Sequence, residues 1–251
     1  MLILNCIDIT TIDNDTYHFF KDEVSKKRSD LATQFVFPDD AKRCVLSELL
    51  LQYSFLRTKK TFENVEVKCN AYGKPSLRNE ENFSYNLSHS GKWVVIAYGE
   101  MRTEIGLDIE HICLEEKDLP VHAFTDKEQD YINMASSEVG RIKNFIQMWT
   151  LKESYVKYIG TGLSTDLDSF SILMEEPIKI QNRYGIHENV HFKNYLFQND
   201  YYLSVCSHEE KIVIQEVKVE DLMDFLHKKK QFNTNSFEKE QVSNRAPWRE
   251  I

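Results

Sequence analysis

The 251-residue chain is 41% hydrophobic and 12% aromatic, enough apolar surface for one large domain or two small ones with a sizeable core, which excludes a disordered chain. A formal net charge of −9 argues against a general nucleic-acid binder, whose phosphate contacts need a basic surface, but leaves room for a local basic pocket. Cys6, Cys44, Cys69, Cys113 and Cys206 are scattered without a Cys-x-x-Cys pair, so a reducing, cytoplasmic setting is expected; the apolar N-terminal run lacks the basic flank of a signal peptide, and no segment approaches membrane-spanning length.

Residues 2–9 read as a strand, and 17–27 as a short helix opened by Asp13 or Asp15. That helix ends on Lys26, Lys27 and Arg28, the usual macrodipole arrangement for a C-terminus. Pro38 and Asp39 start a longer helix whose apolar face is Cys44, Val45, Leu49, Tyr53 and Leu56, with Asp39 as its expected N-cap. Arg43 stands in its first turn, where a cation opposes the helix dipole, so it either is solvated or answers an anion. Residues 65–69 form a predicted strand, and Tyr72-Gly73-Lys74-Pro75 is turn chemistry. Residues 83–87 and 92–98 read as strands joined by a small polar loop, Ser88-His89-Ser90-Gly91.

In the next strand Ile105, Leu107 and Ile109 alternate with Gly106, Asp108 and Glu110, which puts the two carboxylates on one face. Such a pair either faces water or shares a cation, and the glycine suggests a close backbone approach. Residues 115–118 form a charged connection, and a capping box, Thr125 with Glu128, opens a helix expected to stop near Gly140. The following helix carries Ile142, Phe145, Ile146, Trp149, Val156 and Ile159 as its inward stripe, and Glu153 lies on that stripe with Lys157 one turn on. The two are either an intrahelical ion pair or part of a site that includes the neighbouring acids. Gly160 and Gly162 end the helix. Residues 170–180, 190–197, 201–206 and 211–217 are expected as strands of a second sheet, and after Asp221 a short helix gives way to Lys228, Lys229, Lys230 and a mobile polar tail.

Ile-Gly-Leu-Asp-Ile-Glu, followed by Trp-Thr-Leu-Lys-Glu-Ser-Tyr-Val-Lys-Tyr-Ile-Gly-Thr-Gly-Leu-Ser, resembles the signature of the Sfp-type 4′-phosphopantetheinyl transferases. Tyr72-Gly73-Lys74-Pro75 and the 83–91 stretch match two further motifs of that family, in the same order, and the similarity extends to about residue 220. The resemblance implies an α+β fold, a pseudo-dimer of two similar α+β halves with the active site in the seam between them: residues 1–104, residues 105–225, and a tail over 226–251. It also implies transfer of 4′-phosphopantetheine from coenzyme A to a serine of an apo acyl, peptidyl or polyketide carrier protein, with release of adenosine 3′,5′-bisphosphate. Asp108, Glu110 and Glu153 would hold Mg²⁺, Glu153 would serve as base, and Lys157 would contact the pyrophosphate. Arg28, Arg43, Lys74, Ser88 and His89 would hold the rest of coenzyme A; Leu31 departs from the pattern, standing where the family often has a second lysine. No nucleic acid or membrane partner is expected, and a site supplied within one chain makes a monomer the simpler expectation. The rival readings are a non-catalytic carrier-protein or nucleotide-binding module of the same fold, and a metal-dependent phosphohydrolase.

Overall fold

Alternating apolar side chains build two sheets that pack face to face. The first contains β1 (Leu2–Asp8), β4 (Ser84–Ser90), β5 (Trp93–Gly99) and β12 (Ile212–Glu216) in the order β12-β1-β5-β4, with β1 parallel to β12 and antiparallel to β5. The second contains β6 (Ile105–His111), β10 (His191–Phe197) and β11 (Tyr201–Ser207), antiparallel in the order β10-β11-β6. Leu2, Leu4 and Cys6, Trp93, Val95 and Ala97, and Ile105, Leu107 and Ile109 meet in the core between them. The alternate residues Val94, Ile96 and Tyr98 face outward against α1 (Asn14–Asp22), α3 (Pro38–Thr58) and α6 (Val219–Ser243). On the opposite outer side, α5 (Glu138–Ile159) packs on the second sheet with α4 (Asp126–Asn133) and a small sheet of β7 (Phe170–Leu173), β8 (Lys179–Asn182) and β9 (Gly185–Ile186). The remaining elements are α2 (Lys26–Ala32) and the hairpin of β2 (Val67–Cys69) and β3 (Pro75–Leu77). This is a mixed α+β chain. The computed structural model describes residues 1–58, 66–100, 102–115, 119–186 and 189–243, the side chains of 163 and 232–243 apart. Val65 of the predicted strand, residues 116–118 of the charged connection and residues 244–251 of the expected tail lie outside them.

Asp13 caps α1, its side chain accepting from Thr16 N at 2.8 Å, and Thr125 with Glu128 forms the expected capping box. Other expectations need correcting. The first helix stops at Asp22, and Lys26, Lys27 and Arg28 instead open α2, with Ser25 as N-cap. The cations therefore sit at a helix N-terminus, where the dipole does not favour them. Helix α3 already starts at Pro38, so Asp39 is a first-turn residue and not its cap. Ser88, His89 and Ser90 belong to β4, leaving Gly91 and Lys92 as the tight turn. Gly140 stops no helix: its N–H donates to the cap Ser137 in the first turn of α5. The strand over 212–216 pairs with β1 in the first sheet, because its apolar run offers a parallel edge there. Helix α6 runs on to Ser243, past the expected start of a tail.

Two features fix α5. Gly106 of β6 faces the helix, and a Cβ built there would overlap the Ser154 carbonyl oxygen and lie 2.5 Å from the Tyr158 nitrogen, so only glycine lets helix and strand approach this closely. One residue before Glu153, Lys152 is fully buried against the equally buried Glu128. The Glu128 carboxylate accepts from Lys152 Nζ at 2.7 and 2.8 Å, Thr125 N at 3.0 Å and Ile172 N at 2.7 Å, while Lys152 also donates to Phe170 O at 2.7 Å. Burial pulls the Lys152 ammonium down to about 8 despite the attraction of Glu128. The pair thus ties α4, α5 and β7 together with its hydrogen-bonding capacity used.

Gly106→Ala is expected to destabilise the protein by about 3 kcal/mol or more, at or above the usual overpacking range. Glu128→Ala, which strands the buried Lys152, is expected to cost about 3–5 kcal/mol. Denaturant unfolding of both variants checks these values; a shift below about 1 kcal/mol in either would contradict the corresponding contact.

Candidate active site

Strand β4 lies alongside β6, but the described contacts between them run through side chains. Asn86 Oδ1 accepts from Leu107 N at 2.9 Å, Ser88 Oγ from Ile109 N at 3.3 Å and Ser90 Oγ from His111 N at 3.1 Å. The same two serines turn their hydroxyl protons to the acids: Ser88 donates to Asp108 Oδ1 at 2.9 Å and Ser90 to Glu110 Oε2 at 2.8 Å. Lys157 reaches down from α5, its Nζ donating to Asp108 Oδ1 at 2.6 Å and to Ser88 Oγ at 3.1 Å. Glu153 stands one helical turn before it. Lys157 is thus committed to Asp108, and the intrahelical pair with Glu153 is not among the described ion pairs. The stripe of α5 is also broader than its periodicity suggested, since Met148, Leu151 and Tyr155 are buried with Ile146 and Val156 while Ile159 is exposed.

The three carboxylates are held in an unfavourable charge environment. Burial pushes Asp108 up, with Lys157 and Ser88 opposing; burial followed by the charge of Asp108 pushes Glu110 up to about 7; burial and then Asp108 raise Glu153, against Lys157. Asp108 Oδ2 is buried with no hydrogen-bond partner. A carboxylate oxygen of this kind is costly unless a cation or donor reaches it. The all-oxygen donor set suits a hard divalent cation. Among the described residues no three His, Cys, Asp or Glu side chains converge tightly enough to grip a metal as they stand, and the Lys157 ammonium occupies the contact to Asp108. The fit therefore rests on donor chemistry and on the unpaired oxygen. A groove of about 590 Å³ opens beside Glu153 and Lys157, walled by Trp149, Val156, Gly162 and Leu167.

The other expected residues lie around this cluster. His89, next to Ser88 but on the opposite face of β4, keeps its contact with water; partial burial and then Arg43 and Lys157 lower its pKa, which favours the neutral ring. Arg43, in the first turns of α3, donates to Gly91 O and pairs with Asp40. Arg28 pairs loosely with Glu48 at 3.5 Å, in the helical layer beside α3. Lys74 lies at the far end of α5, its ammonium held by Glu104 at 2.6 Å and by Tyr158 O at 2.9 Å, so it shares none of the described contacts of the acid cluster. Sequence reasoning missed Asn86 and the bridging role of Ser90, although polar residues at alternate positions 86, 88 and 90 were a visible signal. It also missed the Lys152–Glu128 pair, which no local pattern announces.

Because Glu110 is raised from 4.5 to about 7 in the fold, the folded chain keeps a proton over that interval which the unfolded chain has released. Its contribution to stability is complete below pH 4.5 and is lost as pH rises through 7. In chelator, Glu110→Gln is therefore expected to gain stability relative to the parent between pH 4.5 and 7. Paired thermal melts across that range check this; a constant difference would show that Glu110 titrates normally.

Sequence comparisons relate the chain to known enzymes. Residues 104–206 match the 4′-phosphopantetheinyl transferase superfamily, and residues 13–101 match the 4′-phosphopantetheinyl transferase N-terminal family. The chain is 33% identical over 163 residues to 4′-phosphopantetheinyl transferase gsp of Aneurinibacillus migulanus, covering 64% of this chain and 66% of that protein. It is 30% identical over 187 residues to 4′-phosphopantetheinyl transferase psf-1 of Bacillus pumilus, covering 73% and 78%. To 4′-phosphopantetheinyl transferase Sfp of Bacillus subtilis it is 26% identical over 190 residues, covering 75% and 84%. The matched residues include both sides of the β4–β6 junction, every acid of the cluster and Lys157, so the chain is a transferase of the Sfp type and belongs to the 4′-phosphopantetheinyl transferase superfamily.

Proposed function

We propose that the chain moves 4′-phosphopantetheine from coenzyme A to a serine of an apo carrier protein, releasing adenosine 3′,5′-bisphosphate, with Mg²⁺ held by Asp108, Glu110 and Glu153. The observation that carries this reading is the buried, partnerless Asp108 Oδ2 among carboxylates whose pKa values burial and mutual repulsion raise. When bound there, Mg²⁺ supplies charge neutralisation of the pyrophosphate oxygens. Ser88 and Ser90 orient Asp108 and Glu110 through the hydrogen bonds already described. Lys157, on a side chain 29% exposed, exchanges its contact with Asp108 for a pyrophosphate oxygen. Glu153, directly or through a water, takes the proton of the carrier serine. The serine oxygen then bonds to the phosphorus bearing the pantetheine arm as the bond from that phosphorus to the bridging oxygen breaks, and the electron pair leaves with the adenosine bisphosphate. Arg28, Arg43 and His89 bind the 3′-phosphate side of the nucleotide, and Lys74 closes the pocket at the end of α5.

In this reading the molecule is a pseudo-dimer of two similar α+β halves, residues 1–104 and 105–225, with the catalytic seam between them. Each of the two main sheets carries helices on its outer side; Ser88 comes from β4 on one side of the junction, Asp108 and Glu110 from β6 on the other, and Glu153 from α5. Since one chain supplies every proposed group, the protein works as a monomer. Among the described residues no helix is long and apolar enough to cross a membrane, and Cys6, Cys44, Cys69, Cys113 and Cys206 are free thiols, which supports a reducing cytoplasm.

The test is the mass of apo acyl and peptidyl carrier proteins before and after incubation with this protein, coenzyme A and Mg²⁺. One phosphopantetheine is expected on the carrier serine. Asp108→Ala, Glu110→Ala and Glu153→Ala are each expected to lower the rate by at least about 100-fold. Loss of coenzyme A without any carrier, and no mass gain on any carrier, would make the protein a hydrolase instead.

A further inference from the structure

Helix α6 extends the chain well beyond the paired strands and does not stand apart from the site. Leu222, Phe225 and Leu226 bury its first turns in the core of the first half, and Phe225 meets Tyr53 of α3 edge to face at 5.7 Å. On the next turn Lys229 Nζ donates to Gln52 Oε1 at 2.6 Å. Gln52 Nε2 donates to Glu48 Oε1 at 3.2 Å, one turn earlier on α3. Glu48 in turn accepts from Ser25 N at 2.6 Å, from Ser25 Oγ at 2.8 Å and from Arg28 Nε at 3.5 Å. A continuous polar relay therefore runs from the C-terminal helix to the cap and first turn of α2, where Arg28 sits.

We infer that Lys229 is a positioning residue of the nucleotide pocket: through Gln52 and Glu48 it sets how firmly Arg28 is held back from a bound phosphate, and so how far the site prefers coenzyme A to its 3′-dephospho form. The inference rests on the coenzyme A reading of Arg28. Its physical basis is a competition for one anion. The Arg28–Glu48 contact is the longest of those that Glu48 makes, and its partners are 35% and 16% exposed, so the guanidinium is restrained weakly. Lys229 supplies a second cation near Glu48; burial lowers the lysine's pKa, and the attraction of Glu23 and then of Glu48 offsets part of that. Removing Lys229 leaves Arg28 to answer more of the Glu48 charge, which draws it from the ligand. Neutralising Glu48 does the reverse, since a glutamine oxygen still accepts from Ser25 N while releasing Arg28.

The experiment is competition binding of coenzyme A and dephospho-coenzyme A to the full chain. Lys229→Met is expected to weaken coenzyme A roughly three- to tenfold while dephospho-coenzyme A changes less than about twofold. Glu48→Gln is expected to move the ratio of the two affinities the other way, and Lys229→Arg to keep the parental ratio. A merely structural role would weaken both ligands alike and would not give opposite signs. If Lys229→Met fails to fold, the Glu48→Gln and Gln52→Leu variants carry the test, Gln52→Leu being expected to follow the sign of Lys229→Met. Ratios unchanged in the folded variants, with coenzyme A still bound by the parent, overturn this inference alone. A parent that binds neither ligand overturns the coenzyme A reading and this inference with it.

Discussion

The structure depends on one polar seam, in which alternate side chains of β4 take the place of a backbone partner for β6. Asn86, Ser88 and Ser90 meet Leu107, Ile109 and His111 at a constant separation of 21 positions, so the two strands run in parallel register without a standard ladder between them. An edge strand ordinarily leaves its N–H groups to water or to an intruding chain. Here three of those N–H groups on β6 are satisfied by oxygens that also have lone pairs or protons to spare. The serine hydroxyls bond the backbone and the acids at once, so the join between the sheets and the orientation of the carboxylates are a single network. Losing one serine would disturb both.

Onto that seam α5 brings opposite charge. Its approach is set by the bare backbone of Gly106 and by the buried Lys152–Glu128 pair, and together they bring Lys157 to Asp108. The two lysines at 152 and 157, five positions apart on α5, thus have different duties. Lys152 is enclosed with its bonds complete, whereas Lys157 keeps partial exposure and a contact it can exchange. Charge repulsion among Asp108, Glu110 and Glu153 is tolerated because helix and strand are anchored elsewhere in the fold, a common arrangement where function and stability pull in different directions.

Much of the acid cluster was legible in the sequence. The strict alternation around Asp108 and Glu110 shows their shared face, and Gly106 signals a close approach, which the helix backbone makes. Glu153 and Lys157 stood out because charge fell where helical periodicity asked for apolar residues, although the real buried face is rotated toward Met148 and Tyr155. What failed was long-range or compositional. Ser88, His89 and Ser90 look like a loop because small polar residues dominate loops, yet their polarity serves a neighbouring strand. Lys26 to Arg28 look like a helix end because charge alone suggested a dipole match, while the cap at Ser25 is held by Glu48 from another helix. Partner choice among strands is invisible to any local pattern, so the place of β12 and the docking of α6 emerge only in three dimensions.

The pairing of β12 with β1 has a consequence for how the chain is made. Leu2 through Cys6 lie beside Ile212 through Glu216, and Val217 N closes the join on Cys6 O at 2.8 Å. As the ribosome extends the chain, the first strand waits for a neighbour 210 positions later, from Leu2 to Ile212, and its outer edge stays bare until that strand has emerged. Contacts of such sequence separation slow folding and expose unfinished edges to other nascent chains. A cut between residues 104 and 105 would not leave two autonomous folding units, since the later segment carries both the closing strand of the earlier sheet and α6 of its helical layer.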